Sequence, residues 1–159
     1  AGEKENDMLY SEKLRPFAAA HPCRTIDVDG AQFRYILTGK PEGRTRVFLN
    51  GGMNTLEMWM DYVDALADTG RVLLFDYPQQ LRTNQALVAG MHAFFAAVKG
   101  KILLILPDQD FFSGQMQQDL IRLMHEPEIR YVSGGHLSTV LKTEDYIRTI
   151  RAFLAGQPD

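Results

Sequence analysis

From residue 46 onward, apolar residues follow two alternating patterns. Short continuous runs, "RVFLN", "RVLLF", "KILLIL" and "EIRYV", read as buried strands. After each run, apolar residues recur at helical spacing. Leu56, Trp59, Met60, Val63, Leu66 and Ala67 make one face, and Leu87, Val88, Met91, Phe94, Phe95 and Val98 a second. Met116, Leu120, Leu123 and Met124 make a third, and Tyr146, Ile147, Ile150, Phe153 and Leu154 the last. Strand alternating with helix predicts an α/β fold: a doubly wound, mostly parallel sheet with helices on both faces. Ahead of it, residues 23–28 and 32–37 alternate apolar and polar around Asp29-Gly30, a hairpin signature. Residues 8–22 carry a weaker helical pattern on Met8, Leu9, Phe17 and Ala18, stopped near Pro22, and residues 1–7 carry none. Asn54 followed by Glu57 predicts a capping box. No repeat or low-complexity linker interrupts the pattern. It is read as one domain over 23–159, preceded by a tail and helix over 1–22.

Composition narrows the function. A chain of 159 residues is long enough for one domain with its own core. A net charge of −3, with no Lys/Arg cluster, argues against nucleic acid as a partner. The longest apolar run, residues 102–106, is too short to span a membrane. The polar, acidic start "AGEKENDMLY" does not read as a signal peptide, and a first residue other than Met reads as a trimmed or processed chain. The single cysteine, Cys23, cannot form an internal disulfide, which is compatible with a reducing cytoplasm, the expected location. Histidines and acids do not cluster at ligand spacing, and "NGGMNT" lacks a dinucleotide fingerprint. Neither a metal nor a cofactor is expected.

In parallel α/β sheets, ligands bind where strands end at their carboxyl side. Three such ends carry unusual residues. "VFLNGGMN" is either a plain strand-to-helix turn or half of an oxyanion hole, built from the backbone amides of Gly52 and Met53. "ILPDQDFF" supplies either helix-capping acids or a carboxylate that orients a histidine. "SGGHLS" places His136 after two glycines and off any apolar face, as a general base or as a capping, solvent-facing residue. His21, His92 and His125 sit in blander settings.

Taken in this order, the three ends resemble the α/β-hydrolase fold family, whose nucleophile, acid and histidine follow one another along the chain. "RVFLNGGMNTLEMW" looks like the family's oxyanion turn, "RVLLFDYP" like its next strand and "KILLILPDQD" like its acid-bearing strand. "GGHLSTVLKTEDYIRTIRAFL" looks like its histidine loop and closing helix. The resemblance runs from residue 23 to 154 and implies Asp110, rather than Asp108, as the acid for His136. It implies hydrolysis of a small ester or acyl substrate by a Ser-Asp-His triad.

The chain departs from the family in two places. The oxyanion turn starts Asn50-Gly51 instead of His-Gly, which leaves its backbone amides intact. More seriously, no Gly-x-Ser-x-Gly elbow occurs, and the elbow strand, its helix, the following strand and the cap are missing. Ser113, Ser133, Ser138, Thr139 and Cys23 are poor substitutes, because each would have to face the imidazole and an oxyanion site together. Activity is therefore expected to be weak or lost. The alternatives are a non-catalytic binding or interaction module on a hydrolase scaffold, and an acid–base pair acting directly on water. In such a truncated domain "KILLIL" takes the elbow strand's place. The expected order is hairpin, "RVLLF", "RVFLN", "KILLIL", "EIRYV". Apolar surface on Leu103, Ile105 and the Phe94–Phe95 face would be uncovered, and a homodimer could form through it.

Overall fold

The computed structural model describes residues 10–42, 44–49, 55–78, 84–111 and 114–156, with 84–88 described in backbone alone. The chain makes two compact units, Ala1–Gln80 and Leu81–Asp159.

In the first unit, the central strand is β4 (Arg71–Phe75), whose Val72 and Leu74 are fully buried while Arg71, Leu73 and Phe75 are half-buried. One edge of β4 pairs with β3 (Thr45–Phe48) in parallel, with Val47 opposite Leu73. The other edge pairs antiparallel with β2 (Ala31–Gly39), which in turn carries β1 (Arg24–Val28) antiparallel. The sheet order is thus β1-β2-β4-β3. Asp29 and Gly30 join β1 to β2 at φ 53° and 80°, the two positive values that a tight primed hairpin turn requires. The expected hairpin is present, its second strand three residues longer than the alternation indicated.

Helix α1 (Tyr10–Ala20) holds Pro16 in its interior and buries Phe17. A single 3-10 turn (Leu56–Trp59) leads into α2 (Met60–Leu66). Leu56, Met60, Val63 and Leu66 are buried, so the apolar spacing faces the core as its period demands. Glu57, read as one half of a capping box, is bonded by Arg34 of β2. Its carboxylate takes a bidentate pair of hydrogen bonds from Arg34, at 2.6 and 2.9 Å, while the Leu56 N–H donates to Asp76 Oδ1 at 2.6 Å. Asn54, the other half of that motif, lies outside the described residues.

In the second unit, β5 (Leu103–Pro107) and β6 (Glu128–Val132) pair in parallel as a two-stranded sheet. Helices α3 (Asn84–Ala97), α4 (Gly114–Leu123), α5 (Ser138–Leu141) and α6 (Thr143–Ala155) complete it. Among the described residues the pairings are therefore mixed, two parallel and two antiparallel, because the hairpin enters β4 antiparallel. The parallel pairing of β5 with β6 is the one expected from sequence. Phe95, expected on an uncovered face, is 4% exposed and belongs to the core; Phe94 is exposed, and Leu103 and Ile105 are half-buried. Met116, placed on the inner face of α4 by spacing, is exposed, while Met124 at the end of that pattern is buried.

Candidate active site

The two chemically unusual loops of the second unit leave the same end of the β5–β6 pair. Strands in parallel register stop together, with Pro107 opposite Val132. The ladder then continues past the strands. Asp108 N–H donates to the Val132 carbonyl at 3.0 Å, and Gln109 N–H to the Gly134 carbonyl at 2.9 Å. The Asp108 side chain closes the exchange by accepting the Gly134 N–H at 2.9 Å. Gly134 sits at φ +140°, where an L side chain is strained, and a Cβ there would meet Ser138 Cβ at 3.1 Å. The glycine before the histidine turn thus has a steric reason.

Beyond this clamp the chain presents His136 and Asp110 to each other. His136 Nδ1 lies 3.3 Å from Asp110 Oδ2. The Asp110 carboxylate is 4% exposed and accepts the Phe111 N–H on its other oxygen at 2.7 Å, while the imidazole is 49% exposed. An ionised carboxylate only accepts, so Nδ1 must carry the proton of this bond, and the basic lone pair is on Nε2. The Phe111 ring tilts against the imidazole, with centroids 4.6 Å apart. Asp108 and Asp110 are two residues apart and equally plausible on composition, yet the structure separates their roles: Asp110 meets the imidazole and Asp108 ties the loops.

His136 and Leu137 occupy the centre of a turn closed by Ser138 N–H donating to the Gly135 carbonyl at 2.9 Å. Ser138, 2% exposed, places its hydroxyl 2.8 Å from the Tyr146 hydroxyl on α6. Burial pushes the Tyr146 phenol up from its ordinary value, the Ser138 bond pulls it down, and the negative charge of Asp110 adds to the rise. Sequence reading missed both Asp108 and the Ser138–Tyr146 pair. Tyr146 reads simply as an apolar-face position, and only the helical spacing of α6 would have marked it as buried.

The remaining candidates fall as follows. Gly52 and Met53, and with them Asn50, Gly51 and Ser113, lie outside the described residues. Ser133 is exposed and Thr139 half-buried. Cys23 is exposed in the first unit; burial, its largest influence, raises its thiol above the ordinary value, which disfavours the nucleophilic thiolate. His21 is occupied by Thr38, at 2.9 Å, and by Asp64, at 3.8 Å. Among the described residues, no group of three or more His, Cys, Asp or Glu could hold a metal ion. Among them also, no helix is long and apolar enough to cross a membrane.

Helices, mixed and parallel ladders, and an acid and a histidine leaving two neighbouring parallel strands belong to one architecture. It is the α/β-hydrolase fold, and the chain shares it. Solved structures of that fold to which it is similar include a predicted CIB-like hydrolase from Thermoplasma acidophilum. That match has 13% identity and a TM-score of 0.62, covering 86% of this chain and 99% of that one. They also include the carboxylesterase CesB (YbfK) from Bacillus subtilis, with 10% identity and a TM-score of 0.63, covering 94% and 98%. At these identities the likeness establishes the fold alone. No family model matches the sequence, and no curated protein matches it.

Proposed function

We propose that this chain is a truncated α/β-hydrolase-like domain, residues 23–159, related to enzymes that cleave small esters or similar acyl substrates. Its doubly wound sheet is shortened by loss of the elbow and cap. Asp110 orients His136 as the general base of a Ser-Asp-His apparatus, and the resemblance implies Gly52 and Met53, outside the described residues, as its oxyanion amides. The serine of that apparatus has no counterpart in the chain. The observation that carries this reading is the 3.3 Å approach of His136 Nδ1 to Asp110 Oδ2 at the ends of adjacent parallel strands. The similarity to a carboxylesterase supports the substrate class.

The chemistry follows from the tautomer. With the proton held on Nδ1, Nε2 takes a proton from whatever attacks the carbonyl. A serine would form an acyl-enzyme. Without one, water is the attacking group and the covalent route is lost, which in serine hydrolases costs on the order of 10⁴- to 10⁶-fold. Ser138 does not fill the gap, because its buried hydroxyl is engaged by Tyr146. The second reading, a binding module, draws on the exposed apolar side chains around His136, namely Phe111, Leu137 and Leu141. The site takes a small molecule in either case, in a cytoplasmic setting suited to the single cysteine.

The test is turnover of a chromogenic acetate ester by the intact chain and by His136→Ala. Slow turnover that falls further in His136→Ala supports the water route. Fast turnover abolished by His136→Ala, with labelling by a serine-reactive phosphonate, shows a nucleophile elsewhere in the chain. Turnover equal in both proteins, at the buffer rate, leaves the binding reading.

A further inference from the structure

We propose that Tyr146, acting through Ser138, is a positioning residue that holds the His136 turn against Asp110. The inference rests on the Asp110–His136 reading above and assigns that pair its anchor. A half-exposed imidazole is placed mainly by the backbone that carries it. Here that backbone is the Gly135–Ser138 turn. Upstream, the turn is tied at Gly134, through Asp108 and Gln109. Downstream, it is tied at Ser138, whose hydroxyl meets the Tyr146 hydroxyl at 2.8 Å. The two ties sit two residues to either side of His136.

The downstream tie is the buried one. Ser138 is 2% exposed and Tyr146 4%. A buried hydroxyl whose partner is removed is left with its full desolvation cost, and the cheapest escape for Ser138 is to turn toward water. That motion carries His136 with it, since the turn is one closed unit. The ring then leaves the 3.3 Å approach to Asp110. The negative charge of Asp110 reaches the Tyr146 phenol, so the phenol lies within the electrostatic range of the pair that it steadies. Tyr146 also sits on α6, where its neighbour Ile147 is buried. The anchor therefore refers the turn to a packed helix.

The readout is the tautomer of His136, by 15N chemical shifts of the imidazole at about pH 9, where a histidine is ordinarily neutral. Resonances are assigned with His136→Asn. Wild type is expected almost wholly as the Nδ1–H form, and Asp110→Asn is expected to abolish that preference. Tyr146→Phe and Ser138→Ala are each expected to lower the ratio of Nδ1–H to Nε2–H about five- to tenfold, with an unchanged far-ultraviolet circular dichroism spectrum. A folded Tyr146→Phe and Ser138→Ala that both keep the wild-type ratio would overturn the positioning role and leave the pair intact. Loss of fold in both variants would also overturn it, since the hydroxyl bond would then serve the core alone. A wild-type protein without an Nδ1–H preference would instead refute the Asp110–His136 reading itself.

Discussion

Two carboxylates that are neighbours in sequence carry different duties. Asp108 accepts a backbone N–H from the opposite loop and Asp110 faces the imidazole. Replacing Asp108 by Ala should speed hydrogen exchange at the Gly134 amide about fivefold, whereas Asp108→Asn, which keeps an accepting oxygen, should leave it near wild type. Exchange equal in both variants would deny the clamp. A second prediction concerns Arg34, which bonds Glu57 and Asp76 together. Burial pushes the Glu57 carboxyl up, but hydrogen bonds from Arg34 and Thr55 and the charge of Arg34 outweigh it and hold it below its ordinary value. A depressed acid stabilises the fold above its unfolded pKa, and that contribution disappears as pH falls through the folded value. Wild type should thus lose stability below about pH 4, and Glu57→Gln should flatten this acid limb in a series of urea melts. The contact between Asp110 and His136 was legible because the resemblance to the α/β-hydrolase fold implies their place in chain order. Asp108, Arg34 and Tyr146 were not, because a hydrogen-bond partner 26, 42 or 8 residues away is set by strand register and helix packing.

At the level of elements, the periodicities read well wherever an element is strongly one-sided. The Leu56–Leu66 face enters the core as its spacing requires, and β4, read as a continuous buried run, buries Val72 and Leu74 fully and its other residues in part. They read poorly where polarity is shared. All five residues of β1 are exposed although they alternate, because an edge strand of a hairpin need bury neither face. Pro16 inside α1 shows the reverse, a breaker tolerated once Phe17 packs. The junction of β2 with the turn before β4 depends on one glycine. Gly39 stands at φ +88°, and a Cβ there would come within 2.2 Å of the Gly70 carbonyl oxygen. Gly39→Ala should therefore cost about 2–4 kcal/mol, read as a lowered urea midpoint at constant slope. A midpoint within error of wild type would show that the two turns can part without penalty.

For the whole molecule, strand pairing was legible within the hairpin, between β3 and β4, and between β5 and β6. Four large apolar side chains near His136 are well exposed: Phe111 at 75%, Leu137 at 63%, Val140 at 62% and Leu141 at 75%. A surface of this kind favours self-association. Light scattering at tens of micromolar should give a mass above the 18.0 kDa of one chain, falling on dilution and in Phe111→Ser/Leu141→Ser. A concentration-independent 18.0 kDa species would remove the argument. The clamp between the two loops has a different consequence. The hydrogen bonds traced here from Asp108 to Tyr146 join residues of one contiguous stretch of chain. Such a stretch carries its own alignment wherever it goes. Moved by recombination or by design, it would bring an acid and a histidine already facing each other into a new setting.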